Sequence, residues 1–197
     1  MALWQVMKLT QLINLRKIRV LLIRPRRYGI KLSMFEIDVQ NDDGFAVDAD
    51  TLQRAARAVL VRHDVEDDSA MTVVITTDEA VHALNLQHRQ VDSATDVLSF
   101  PADPLPEELA ELAELEDPYR GDLVIAYPYA SAQAEREGHA LRDSLMLLVV
   151  HGTLHLLGYD HDTPENRAEM WAEQAAALRE LGIDEGIVPA LEASDHG

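Results

Sequence analysis

The sequence predicts a single α+β domain in which about four strands form one small mixed sheet packed with about five helices. Three observations carry this. Short β-patterned segments are interleaved with helical ones, but without the strict strand–helix rhythm of a parallel α/β fold. Helical patterning takes over after residue 128. The chain has 197 residues, 47% of them hydrophobic, enough for one core and inconsistent with disorder.

The elements follow in order. Met34-Phe-Glu-Ile-Asp-Val-Gln40 alternates apolar and polar residues as a half-buried strand does, and Asn41–Gly44 reads as a turn. Asp50 is a candidate cap for a helix to about His63, with Leu52, Ala55, Ala56, Val59 and Leu60 on its inner face. Met71–Thr77 is a β-branched strand, and Asp78 a candidate cap for a helix to about Gln87. Thr95–Phe100 is a short strand stopped by Pro101. Residues 101–120 are Pro-rich and acidic, a surface excursion with room for a short helix at 107–115. Gly121–Tyr127 is the fourth strand. Helices over about 129–137, 140–157 and 164–181 complete the chain; Thr163 caps the last, Pro164 opens it and Gly182 lies just past its end.

Charge divides the chain in two. Residues 1–33 hold eight of the 17 basic residues and no acidic one, whereas residues 34–197 set nine basic against 35 acidic. The longest apolar run of the first part, Val20–Ile23, is too short for a secretory signal or a membrane span. An Arg-rich, acid-poor segment of this kind suits an organellar transit peptide or an arm that touches RNA. The abrupt change at Met34, where a strand pattern begins, also fits an upstream extension that is disordered or not native, and this is the reading adopted. There is no cysteine, so disulfides, iron–sulfur clusters and thiol catalysis are excluded, and a transition metal would need His, Asp or Glu.

The segment His151-Gly-Thr-Leu-His-Leu-Leu-Gly-Tyr-Asp-His161 carries the chemistry. On a helix, His151 and His155 share one face a turn apart and can grip one ion. A third ligand needs the chain to leave the helix, and Gly158 permits that turn so that His161 reaches the same ion. Three imidazoles with one open position is the ligand set of a catalytic zinc. The alternative, three unrelated histidines, leaves polar side chains unpartnered at the end of the apolar stretch Leu145–Val150, which is costly. The spacing is also that of metzincin proteases, HExxHxxGxxH, but Gly152 stands where those enzymes carry their general base. The metal site survives that change; the peptidase chemistry does not.

HGTLHLLGYDH resembles the HGxLHLxGYDH signature of the YbeY endoribonucleases, ribosomal RNA maturation factors of bacteria. Leu84-Asn85, Arg89 and Thr95-Asp-Val-Leu-Ser-Phe-Pro101 are similar to that family's LNxxYR…TDVLSFP, and Gly121–Ile125 to its GDIVI strand. The resemblance runs from about Met34 to Ile183, leaving 184–197 as a C-terminal tail. It implies a zincin-like fold, one zinc ion per chain held by His151, His155 and His161, and a cytoplasmic single-strand endoribonuclease with these three residues and Arg89 at its catalytic centre. It further implies action in 16S rRNA 3′-end maturation and ribosome quality control. The partners implied are ribosomal RNA and the small subunit, with ribosomal proteins or an assembly GTPase as protein contacts, and neither membrane nor DNA. Two departures stand out: His88 replaces the family's aromatic before Arg89, and the basic N-terminal stretch has no counterpart.

Metal-assisted phosphodiester cleavage fits these residues, with zinc as Lewis acid and the Arg89 guanidinium as a planar donor fork for phosphate. No general base is evident. Asp160 either orients a ligand histidine or caps its own turn, and the turn is the simpler role. Met170 and Trp171 read as core, and His63, His82, His88, His139 and His196 as solvent-facing. An acidic domain is a poor electrostatic partner for RNA. A zinc hydrolase acting on peptide and a non-catalytic assembly factor with structural zinc are the competing readings.

Overall fold

In a computed structural model of the chain, the structure describes residues 35–65, 69–102 and 119–187. The basic segment 1–33, the expected helix at 107–115 and most of the C-terminal tail lie outside them. The elements are β1 (Glu36–Gln40), α1 (Ala49–Arg62), β2 (Ala70–Thr76), α2 (Asp78–Arg89), β3 (Val97–Pro101), β4 (Tyr119–Ala126), α3 (Tyr127–Glu137), α4 (Leu141–Leu156) and α5 (Pro164–Glu180), then a short 3₁₀ turn at Glu185–Ile187. None of the described helices is long and apolar enough to cross a membrane.

The strands form one mixed sheet in the order β1-β2-β4-β3. β1 and β2 run parallel, as do β2 and β4, while β3 is antiparallel to β4 on an edge. Alternation along the strands sorts side chains between two faces. Val97, Leu123 and Ile125 join the large core with α1, α4 and α5; Leu98, Val124 and Ala126 join a smaller one with Val81 and Leu84 of α2. α4 is buried on nearly every side, as its unbroken apolar run requires. Ile183 and Ile187 are buried as well, so packing continues to the 3₁₀ turn.

The helix starts differ from the sequence expectation in an instructive way. α1 begins one residue before Asp50, with Asp48 as its N-cap residue. Thr77, not Asp78, caps α2, its hydroxyl accepting from Ala80 N. Asp78 does cap a helix, but another one: its carboxylate accepts from Tyr129 N at 2.9 Å and so secures the first turn of α3. Sequence shows which residues favour caps; which backbone they cap is a tertiary outcome. α5 starts as expected, with Thr163 Oγ1 accepting from Asn166 N at 3.1 Å. Pro101 ends β3 as its last paired residue, opposite Gly121, a place an edge strand tolerates. β4 begins at Tyr119, two residues earlier than expected.

Candidate metal centre

α4 delivers the first two histidines. His151 is buried and His155 half-buried, one turn apart, with ring centroids 4.6 Å from each other. The helix then stops: Gly158 N donates to His155 O and Tyr159 N to Leu154 O. Gly158 has φ +92°, with nothing near the position a Cβ would take, so backbone conformation and not space demands glycine there. The turn brings the His161 ring 4.9 Å from that of His155 and 5.5 Å from that of His151. One nitrogen from each of the three lies within 4.8 Å of the others, a group that could hold a metal ion.

Hydrogen bonds decide which nitrogens carry lone pairs into the cluster. The Tyr159 carbonyl can only accept, so His155 Nδ1 carries the proton and donates to it at 2.9 Å. His151 Nδ1 donates to Gln174 Oε1 at 3.1 Å. In their neutral forms both rings therefore present bare Nε2 atoms, and these face each other at 3.1 Å. Two lone pairs in that position repel unless a cation or proton lies between them. The donor set thus fits a divalent ion bound by neutral imidazoles.

Electrostatics keep the rings neutral. Burial, then the neighbouring His155, lowers His151 to about 3. His155 is also lowered, by burial first and His161 second, against an upward push from the Tyr159 carbonyl and Asp160. The charge of Arg89 contributes to both shifts. That residue ends α2 and is exposed.

Gly152 explains the missing carboxylate. It faces the sheet where α4 crosses it, and a Cβ there would lie 2.7 Å from Leu123 Cδ2 and 3.2 Å from Ser99 Oγ. With Leu123 and Ser99 placed as they are, a side chain at this position would be overpacked, which fits the departure from the protease pattern.

Other expected residues sort as follows. Asp160 caps its own turn, accepting from His161 N at 2.8 Å; the groups that orient the ligand rings are Gln174 and the Tyr159 carbonyl. Met170 is core, as expected, but Trp171 is only half-buried, its ring 5.6 Å from that of His161 and 6.1 Å from that of His151. His63 departs from expectation: its side chain is 16% exposed and sits against Tyr159, 3.4 Å from the hydroxyl, and 3.6 Å from Glu173. The turn after α4 must bury its aromatic residue, and the end of α1 receives it. His88 is exposed, with its ring edge on Phe100; His82 and His139 pair with Asp92 and Glu137. His196 is outside the described residues. Gln174, fully buried, went unnoticed in the sequence. Its signal was a polar residue four after Met170 and three before Ala177, on the apolar face of its helix.

Residues 36–182 match the family described as Endoribonuclease YbeY. A relative of that name from Chloroflexus aggregans is 41% identical over 150 residues, 76% of this chain and 97% of its own length. That from Chloroflexus aurantiacus is 39% identical over 151 residues, with the same coverage. The Mycobacterium leprae relative is 37% identical over 73% of this chain and 82% of its own length. The chain belongs to the YbeY endoribonuclease family. A solution structure of a Thermotoga maritima protein is similar at a TM-score of 0.48, with 26% identity over 75% of this chain and 88% of that one. Family membership and the packed α+β fold agree with what the histidine motif, the 84–101 block and the 121–125 strand imply.

Proposed function

We propose that this chain is a zinc-dependent, single-strand-specific endoribonuclease, working in the cytoplasm on the 3′ end of 16S rRNA, in ribosome biogenesis and in ribosome quality control. The observation that carries the proposal is the facing pair of bare Nε2 atoms on His151 and His155. In a tetrahedral zinc site with Zn–N of about 2.0–2.1 Å, ligand nitrogens stand roughly 3.3 Å apart. The pair is at 3.1 Å. His161 would be the third ligand, and the open position would face substrate.

When bound, zinc supplies Lewis-acid stabilisation of the charge that develops on the phosphodiester. The chain does the rest. Three neutral imidazoles leave the double charge of the ion uncompensated, which favours an anionic substrate. Gln174 and the Tyr159 carbonyl hold the two α4 rings in one tautomer and orientation. Arg89 offers its guanidinium fork to a phosphate oxygen. Gly152 leaves no carboxylate at the protease position, so the site is poorly furnished for peptide hydrolysis. The partners this function requires are ribosomal RNA and the small subunit, with ribosomal proteins or an assembly GTPase as protein contacts.

The test is cleavage of single-stranded RNA by the purified protein. Chelator should abolish it, and Arg89→Ala should lower the rate by ~10²–10³ while the metal stays bound. His151→Ala protein, purified identically, controls for contaminating nuclease. Equal cleavage by wild type and that control removes the ribonuclease reading and favours an assembly factor. Cleavage of peptide in place of RNA favours a zinc peptide hydrolase.

A further inference from the structure

Beside the histidine cluster, the start of α5 forms one wall of a shallow cleft of about 350 Å³, lined by Asp162, Thr163, Pro164, Arg167, Ala168 and Trp171. Trp171 belongs to both: it lines the cleft, and its ring stands edge-on to those of His151 and His161. Arg167 and Trp171 are four residues apart on α5, hence on one face and about 5.4–6 Å apart along it.

Two facts bear on what this cleft could hold. Acidic residues outnumber basic ones two to one, yet Arg167 is exposed and makes no ion pair among the described residues. Arg62, Arg142 and Arg179 each have a carboxylate partner, so Arg167 is among the arginines left open to an anion. The acid in the cleft, Asp162, is engaged by Asn166 Nδ2 at 2.7 Å. A guanidinium without an ion pair among the described residues and a half-buried indole, one helical turn apart, therefore stand beside the histidine cluster.

We propose that this cleft is a nucleotide subsite, holding one nucleotide next to the scissile phosphodiester, with its base stacked on Trp171 and its phosphate on Arg167. The chemistry suits both halves. Every base has a π-face for an indole, so stacking is sequence-tolerant, and arginine pairs with phosphate through its planar fork. A base stacked in this way must be unpaired and turned out of a helix, which makes the cleft a selector for single strands. Arg89 and Arg167 would also give an acidic domain two basic side chains near the histidine cluster. The inference rests on the ribonuclease reading for the identity of the strand, and its test is independent of cleavage.

The chain has two tryptophans, Trp4 and Trp171. A Trp4→Phe protein thus has a single indole that reports on the cleft. Single-stranded RNA should quench its fluorescence, and the same sequence as a duplex should not. Arg167→Gln should weaken binding of a short single-stranded RNA about tenfold and flatten its salt dependence by about one charge, with metal content unchanged. Trp171→Phe should retain more affinity than Trp171→Leu, because it keeps a stacking face. Absence of quenching, equal quenching by duplex, or an Arg167→Gln protein with unchanged affinity and salt slope would each overturn the subsite. A wild type that cuts RNA alongside such results loses the cleft alone. Quenching and Arg167 dependence in a protein that cuts nothing would uphold the cleft and sink the nuclease reading.

Discussion

Gln174 shows how much a single buried amide can decide. It is fully buried, its carbonyl is against His151 Nδ1, and its own Nε2 has no partner among the described residues. Its one bond fixes which nitrogen of His151 faces the cluster. Replacement by leucine, similar in bulk, should lower zinc affinity ~10–100-fold while the metal-free protein stays folded, whereas Gln174→Glu, which restores an acceptor, should recover the affinity. Competition with a chromophoric chelator measures both; equal affinity in wild type and Gln174→Leu would make the residue mere packing. Removing a ligand is a stronger lesion: His151→Ala, His155→Ala and His161→Ala should each strip the ion.

The same residues set a pH response. His151 titrates at about 3 in the folded state against an ordinary 6.5, so between those values the unfolded chain binds the extra proton. Its contribution to the stability of metal-free protein is complete above about 6.5 and lost as pH falls toward 3. Urea midpoints of metal-free protein across that range should fall with acid, and less steeply in His151→Gln. Parallel curves would show that the ring is not held neutral by its burial.

At the level of elements, α4 is the decisive one, and its sequence says so. An apolar run with histidines at its C-terminal end can only be a buried helix whose polar end is given a task. The histidine cluster was legible because all three residues fall within eleven positions and one glycine break. Arg89 was not legible by spacing, since only the tertiary fold brings the end of α2 close enough for its charge to act on His151 and His155; resemblance alone pointed to it. Gln174 was hidden for the same reason, and Asp48, Thr77 and Asp78 show that cap residues can be found more reliably than the backbone each one serves. Gly152 lies where α4 packs against Leu123 of β4 and Ser99 of β3. Gly152→Ala would press a methyl group to 2.7 Å from a Leu123 side chain that has no exposed surface to retreat into. Overpacking of this sort costs typically 1–3 kcal/mol, so the denaturant midpoint should drop. An unchanged midpoint would mean that Leu123 turns aside freely.

For the whole molecule the problem is charge. Residues 34–197 carry nine basic groups against 35 acidic ones, and residues 1–33 carry eight basic groups and no acid. Among the described residues the large core draws on side chains from Phe35 to Ile187, and the family match covers 36–182. A chain that begins at Met34 should therefore melt at the same temperature as the full one; a drop of several degrees would mean that the basic segment packs on the domain. RNA affinity is a separate question. Basic side chains near the histidine cluster are few, Arg89 and Arg167 foremost, and the surrounding acids would repel a polyanion over roughly a Debye length of 8–10 Å. Free RNA should bind weakly to the chain starting at Met34 and more weakly still as salt rises, with a slope of only a few charges. The full chain, if its basic segment touches RNA, should bind more tightly and with a steeper slope. On the proposed function, ribosomal particles would present the strand already held, so a domain of this charge should cut them better than naked RNA of the same sequence. Comparing initial rates on particles and on the matching free fragment, at two salt concentrations, tests this directly. Faster cutting of the free fragment, with little salt dependence, would mean that the acidic surface lies too far from the RNA path to matter.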